Sequence, residues 1–488
     1  MSGFIPLSVP NFGEKEAAYA AEAITSGWVS TSGAKVSEFE EALAAYVGMP
    51  RAVAANSGTS SLHLAAMAAG IRRGDEVIVP TLTFIAAVNP LTRYVGAEPI
   101  FIGCNDTLCI DPDAVEDFCA NHCTLKEDGL YNNKTGARVR ALGVVHVFGN
   151  MADMPRLLDI ARRYKLILIE DATEALGTRY TAGPLAGKAA GTMGDIGCYS
   201  FNGNKIMTTG AGGFVVSNHA DWAEHAKHLS TQAKADMLQF LHDEVGYNYR
   251  MTNVQACLGL AQLERLEGFV ETKKARYDQY KAALDGVHGL RILPFKEESD
   301  GVRSNHWFYS LYLKDSGLDR DTVIAKLQEQ GIQTRPVWAL QQQRDCRTGV
   351  VADLGELLTA LLTLFGEILQ IRDRNTEQLN NNRCVDIGLN TQRKDRAAAH
   401  GTAGHHVEVS QHAAGGEHGF QCTAGDIRYR NCAAKTEKNQ DQKRVQKALT
   451  QIFGLPGVAK RFEHLRSPQP SRLLSQSFPW PKQCKLQP

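Results

Sequence analysis

Between Asn56 and Val216 the chain alternates short apolar runs with longer amphipathic stretches. The runs are AVAA (from Ala52), EVIVP (Glu76), PIFIG (Pro99), ALGVVHVFG (Ala141), LILIED (Leu166), CYSF (Cys198) and GGFVVSN (Gly212). They lack the inside–outside alternation of a half-exposed strand, so they predict strands covered on both faces. SSLHLAAMAAG and MPRLLDIARRYK space their apolar residues as amphipathic helices do. The predicted fold is α/β, a mostly parallel central sheet with helices on both faces. Residues 220–290 turn helical, and VQACLGLAQLERLEGFVETKKARYDQYKAAL predicts one or two long helices. NHWFYSLYL (from Asn305) then predicts a strand, DRDTVIAKLQEQ a helix and GIQTRPVW the start of another strand. The expected organisation is a large domain over 1–285, the beginning of a smaller, incomplete α+β domain over 286–340, and an atypical tail over 341–488.

Charge sharpens that last boundary. The 488 residues carry 53 Lys+Arg and 53 Asp+Glu, but residues 1–340 hold 32 against 39 and residues 341–488 hold 21 against 14. Gln rises from 8 to 16 across the same boundary, and only Tyr429 of 14 tyrosines lies beyond it. Such a composition buries little apolar surface, so the tail reads as disordered or as the product of a reading-frame change. An appended interaction module is the alternative, disfavoured because the break falls inside a domain. An unfinished small domain would leave Trp307, Phe308 and Trp338 partly exposed, each forgoing about 1.5–3 kcal/mol.

Overall neutrality argues against nucleic-acid or polybasic membrane binding. The start lacks a basic segment followed by an apolar one, so no secretory signal is read. LGELLTALLTLFGEILQI, from Leu354, contains two glutamates and predicts an amphipathic helix rather than a membrane span. The eleven cysteines read as reduced thiols of a cytoplasmic protein. Cys119 and Cys123 flank His122 without a second ligand pair, so they read as structural and no metal is assigned.

Four features at strand ends carry candidate chemistry. Lys205, in YSFNGNKIMTTGAGG, is either a solvated surface charge or a crowded amine suited to Schiff-base chemistry. Asp171, closing LILIED, either caps the next helix or faces a cation such as a pyridinium nitrogen. In NSGTSSLHLAA, Ser57, Thr59 and Ser60 either cap a helix or cradle a phosphate, and Gly58 allows close backbone approach. Phe84, in PTLTFIAAVN, is a core residue or a stacking partner for a flat heterocycle. Together they specify a phosphate, a ring, a pyridinium partner and an amine, which is pyridoxal 5′-phosphate (PLP). A dinucleotide site is the rival, but GAGG lacks the GxGxxG spacing and a following ribose-binding acid.

SGTSSLHLA, PTLTF, EDATEALG, GDIGCYSFNGNK and GYNYRMTNVQACLGLAQLERL resemble, in this order, the signature segments of the DegT/StrS family over roughly residues 5–340. These are fold type I PLP-dependent nucleotide-sugar aminotransferases. IPLSVPNFG, GWVSTSG, STQAKAD and LHDEVGYNYR further resemble the LegC-like branch. That branch aminates C4 of UDP- or GDP-linked 4-keto-6-deoxy-N-acetylhexosamines, with L-glutamate as donor, for bacillosamine or legionaminic acid synthesis. The resemblance implies that Lys205 carries the cofactor and serves as base and acid, that Asp171 pairs with the pyridine nitrogen, and that Phe84 stacks on the ring. Gly58, Thr59, Ser60 and Ser200 are implied at the phosphate, and Glu174 near the phenolic oxygen, where many members have Gln or His. Asn248 is implied to reach the neighbouring subunit's cofactor phosphate, hence a homodimer with shared sites. Trp28, Ser30, Thr31 and Arg250 are implied on the substrate side. Two further readings are a sugar 3-dehydratase of the same fold, which usually has His in place of Lys205, and a non-catalytic PLP-binding regulator or inactive remnant.

Overall fold

A computed structural model describes residues 4–341, apart from 237, 314 and 315, and the backbone of 368–371. Helices α1 (Glu14–Thr25) and α2 (Ala34–Val47) lead to β1 (Ala52–Ala55) and α3 (Gly58–Ala68). Then follow β2 (Glu76–Pro80), β3 (Glu98–Ile102), α4 (Pro112–Asn121), a hairpin of β4 (Cys123–Lys126) and β5 (Gly129–Asn132), and β6 (Arg138–Val145). Helix α5 (Met154–Arg163), β7 (Ile167–Asp171), β8 (Arg179–Tyr180), β9 (Ile196–Ser200), β10 (Gly213–Ser217) and α6 (Ala220–Ser230) complete the predicted α/β unit. The sequence pattern placed every central strand except the β4–β5 hairpin, which adds to β6.

The main path of the sheet runs β1-β10-β9-β7-β6-β2-β3. Strands β3, β2, β6, β7 and β9 are parallel, while β10 opposes both β9 and β1. On this path only β10 therefore runs backwards, and the carboxyl ends of the others share one edge. Alternate strand residues enter different cores: Ile78, Leu142, Leu168 and Phe214 one, Val77, Ala141, Ile169 and Val215 the other. Burial on both faces explains the apolar runs without alternation.

Beyond α6 the helical prediction is only partly met. A two-stranded hairpin, β11 (Lys234–Asp236) and β12 (Leu241–His242), interrupts it before α7 (Asn253–Leu263) and α8 (Leu266–Leu284). Gln232, Ala233 and Phe240 take positive φ there (69°, 50° and 54°), which no helix accommodates. Strand β14 (Val302–Arg303) pairs with β8, whereas β13 (Arg291–Ile292), β15 (Tyr309–Tyr312), β16 (Arg335–Pro336) and β17 (Ile368–Ile371) form a second, antiparallel sheet ordered β13-β15-β17-β16. Helix α9 (Arg320–Glu329) precedes β16. The predicted helix from Leu354 thus ends in a strand, and its preceding residues lie outside the described ones, as does most of the 341–488 tail.

The expected partial exposure holds for Trp338 and is corrected for Trp307 and Phe308. Trp307 and Phe308 are 3% and 4% exposed, and Trp338 is half-buried. They close on Phe148, whose ring centre lies 6.2, 6.4 and 4.9 Å from theirs. At the amino end, Ile5 bridges to Ile332 and the Leu7 amide donates to Gln333, so the first residues are held beside the segment that follows α9. Among the described residues no helix is long and apolar enough to cross a membrane.

Candidate active site

The shared carboxyl edge gathers the predicted chemistry. Strand register places Asp171 beside Val145 and Cys198, Ser200 beside Gly213, and Gly213 beside Ala55. Ser200 is thereby carried next to the start of α3. A Cβ on Gly58 would sit 2.7 Å from Ser200 Cβ, and one on Gly213 would sit 2.6 Å from the Ser57 carbonyl oxygen. Both glycines are required by close approach.

At α3 both sequence readings coexist. Ser57 Oγ accepts the Ser60 amide (3.1 Å) as an N-cap, and Ser60 Oγ donates to Asn56 Oδ1 (2.7 Å). The first turn still directs backbone N–H groups and the positive end of the helix dipole toward the sheet edge, which suits an anion.

Lys205 follows β9 in a turn closed by its amide on the Asn202 carbonyl (3.0 Å). Its side chain is nearly buried. Nζ lies 3.4 Å from Glu174 Oε1 and 4.1 Å from the centre of the Trp307 ring. The surface-charge reading is therefore set aside in favour of a crowded amine. Glu174 Oε2 accepts the Phe148 amide (2.8 Å), and Asn305 Nδ2 donates to the Glu174 carbonyl (2.8 Å). Phe148 reaches that position at φ 57°, a left-handed conformation costing about 1–3 kcal/mol in a non-glycine residue. Burial raises the Glu174 pKa, opposed by the Lys205 charge and the Phe148 hydrogen bond.

Asp171 is buried at the end of β7, with Oδ1 accepting the Thr173 amide (3.0 Å). Burial pushes its pKa up, against the opposing hydrogen bonds from Thr173 and the charge of Lys205. A buried carboxylate with that burden fits the N–H of a pyridinium, which supplies the missing positive charge. The residues present therefore fit PLP: an anion-favouring helix start at Gly58–Ser60 beside Ser200, an acid for the ring nitrogen at Asp171, and an amine at Lys205.

Phe84 is 54% exposed and lies 6.2 Å from Trp338, whose ring contacts Phe148 at 4.9 Å. An aromatic series thus links Phe84 to the Trp307 ring under Lys205. The residues expected on the substrate side fall in two places. Asn253 at the start of α7 donates to the carbonyls of Trp28 (2.6 Å, from Nδ2) and Ser30 (2.7 Å, from its amide), fixing the loop that also holds half-buried Thr31. Trp28 is 62% exposed. Arg250 Nε donates to Asn248 Oδ1 (3.1 Å), while Asn56 Nδ2 donates to the Asn248 carbonyl (3.4 Å). Asn248 is exposed at that position, next to its own chain's α3.

Several supporting residues escaped the sequence reading. His146 and Glu170 are wholly buried, joined at 2.9 Å through Nε2 and Oε2. His146 Nδ1 accepts the Ala152 amide (3.2 Å), so Nε2 carries the proton toward Glu170. Glu170 also takes the amides of Gly191, Met193 and Gly194, and the His146 amide donates to the Asp171 carbonyl (3.1 Å). The pair fixes the end of β7 from below. A histidine closing an apolar run was the one available signal. Ser8 and Asn11 also line, with Lys205, Thr208, Gln262 and Lys273, a small open pocket. Cys119 and Cys123 are buried and their thiols are pushed up to about 12 by desolvation, consistent with a structural role.

This fold and this edge define a PLP-dependent aminotransferase, and the chain belongs to the DegT/DnrJ/EryC1/StrS aminotransferase family, whose profile matches residues 10–352. It is 38% identical over 335 residues to the putative pyridoxal phosphate-dependent aminotransferase EpsN of Bacillus subtilis (strain 168), covering 68% of this chain and 81% of that protein. It is 36% identical over 336 residues to the GDP-perosamine synthase of Escherichia coli O157:H7, covering 69% and 85%. Among solved structures, the aminotransferase TlmJ from Streptoalloteichus hindustanus superposes with a TM-score of 0.66 at 28% identity, covering 76% of this chain and 93% of that one. The chain is thus a PLP-dependent aminotransferase of that family.

Proposed function

We propose that the enzyme transfers the amino group of L-glutamate to C4 of a UDP- or GDP-linked 4-keto-6-deoxy-N-acetylhexosamine, and that Lys205 is its catalytic residue. The observation carrying the catalytic assignment is the position of Lys205 Nζ, nearly buried between Glu174 and the Trp307 ring on the edge that also presents Asp171 and the start of α3. Likeness to GDP-perosamine synthases supports a nucleotide-linked sugar as acceptor.

When bound, PLP supplies the electron sink that makes a carbon–hydrogen bond beside the transferred nitrogen acidic. The chain does the rest. Asp171 holds a proton on the ring nitrogen, the α3 amides with Thr59, Ser60 and Ser200 hold the phosphate, and Phe84 covers the ring. Lys205 Nζ takes the α-proton of glutamate and, in the second half-reaction, delivers a proton to the sugar's C4. Glu174, 3.4 Å away, compensates the charge of Nζ whenever it is protonated. Trp28, Ser30, Thr31 and Arg250 contact the sugar nucleotide, with Arg250 suited to a bidentate grip on the diphosphate. Asn248 serves the partner subunit's phosphate in a homodimer.

The test combines PLP-loaded protein with glutamate and a matched set of UDP- and GDP-linked 4-keto-6-deoxyhexoses, with and without the N-acetyl group. Stoichiometric 2-oxoglutarate and a 4-amino product from an N-acetylated sugar are expected. Amination of the non-acetylated sugars alone would move the substrate toward that of the perosamine synthases, and no transfer to any 4-keto sugar would overturn the proposal.

A further inference from the structure

Away from the active site, two imidazoles and two carboxylates converge from two elements. His225 and His228, three residues apart on α6, project from neighbouring positions on one side of the helix. Asp243 and Glu244 follow directly after β12. His228 Nε2 lies 2.7 Å from Asp243 Oδ1 and 3.8 Å from Glu244 Oε1, and His225 Nε2 lies 2.8 Å from the same Glu244 oxygen. One ligand atom from each of His228, Asp243 and Glu244 falls within 4.8 Å of the other two. Among the described residues, the ion pairs of Asp243 and Glu244 are with these histidines alone.

We propose that His225, His228, Asp243 and Glu244 form a binding site for a borderline divalent cation of the zinc type. Bond lengths of about 2.0–2.2 Å in a tetrahedral zinc site put its ligand atoms about 3.3–3.6 Å apart. The three observed separations lie on either side of that range; His228, Asp243 and Glu244 need side-chain shifts of about an ångström or less, and His225, outside that close group, must turn further to complete the set. With neutral imidazoles the four groups carry two negative charges, which a divalent ion cancels. Imidazole nitrogen and carboxylate oxygen together suit zinc better than magnesium or calcium, which favour all-oxygen sets.

The site's place in the fold gives it a consequence. The strand of chain after Glu244 is threaded back onto α6: the Tyr247 amide donates to the Leu229 carbonyl (2.7 Å) and the Tyr249 amide to the Ser230 carbonyl (3.1 Å). Asn248 lies between them, and the β11–β12 hairpin projects Leu238 and Phe240 into solvent. A metal joining Asp243 and Glu244 to α6 clamps the base of this hairpin and fixes the path leading to Asn248 and Arg250. This is a structural clamp, separate from the chemistry at Lys205.

Full-length, PLP-loaded protein stripped with a chelator and titrated with zinc ion alone provides the test, read by hydrogen–deuterium exchange and by binding stoichiometry. Zinc should slow exchange over residues 225–248, and a His225→Asn/His228→Asn variant should lose one equivalent of zinc and that protection. His228→Cys, which keeps a ligand atom, should retain both. The tail contains His400, His405, His406, His412 and His418, which offer zinc a competing destination. Protection confined to residues 400–418, or absent altogether, overturns the proposal, as does undiminished stoichiometry in the double variant. Exchange on the unmutated protein decides the question even if the double variant fails to fold.

Discussion

Replacing Asp171 by Asn separates what this residue does for the fold from what it does for the cofactor. Burial raises the Asp171 pKa above its unfolded value, so folding favours the neutral acid. Its contribution to stability is complete below the ordinary Asp range and is lost as pH rises through the raised value. At neutral pH the cofactor-free protein therefore bears the cost of a buried carboxylate, at about 1.4 kcal/mol for each unit by which the pKa is raised. Asn keeps an oxygen for the Thr173 amide and removes the charge. The cofactor-free variant should be at least as stable as the parent at pH 7, with the difference shrinking as pH is lowered toward the ordinary Asp range. The reverse is expected once PLP is added. At a hundredfold excess over its dissociation constant a ligand stabilises the fold by about 2.7 kcal/mol, and a tenfold weaker variant keeps about 1.4 at the same concentration. Thermal unfolding of both proteins, with and without PLP across this pH range, supplies the measurement. A cofactor-free variant clearly less stable than the parent at pH 7, or one that keeps the full stabilisation by PLP, would refute the reasoning.

Two further substitutions probe the surroundings of Lys205. Trp307 Nε1 donates to the Asn204 carbonyl (2.7 Å), so Trp307→Phe should cost about 0.5–1.5 kcal/mol in urea unfolding and shift the pH at which the lysine–cofactor absorption changes; no change in either would remove Trp307 from the site. Gly58→Ala places a Cβ 2.7 Å from Ser200 Cβ, so PLP titration should show clearly weakened binding with the far-ultraviolet circular dichroism intact. Parental affinity would mean that the start of α3 has room to move and does not grip the phosphate.

What could be read in the sequence was local. The strands β1, β2, β7, β9 and β10 announced themselves because both faces are buried, and Asp171, Ser57–Ser60 and Lys205 stood out because each closes or follows such a strand. That they share one edge depends on the direction of β1, which is reversed twice through β10 and was not evident from the pattern. The β4–β5 and β11–β12 hairpins were missed: their short strands are largely exposed, apart from β5, and carry little apolar periodicity. Contacts made across long sequence separations were invisible as well. Glu170 with His146 is one example, and the Trp307 ring beneath Lys205, 102 residues earlier, is another. The same blindness produced the error at Trp307 and Phe308, judged partly exposed from the break in composition after Leu340 although their partner is Phe148, more than 150 residues earlier.

The central claim is that Lys205 is the amine that carries PLP. Hydride reduction of the PLP-loaded protein, which fixes the lysine–cofactor linkage as a stable amine, followed by peptide mass mapping, tests it most directly. One pyridoxyl group per chain is expected, on Lys205, and none on the Lys205→Ala protein. A pyridoxyl group on Lys273 or any other lysine, or an unlabelled Lys205 in protein that has bound PLP, would contradict it.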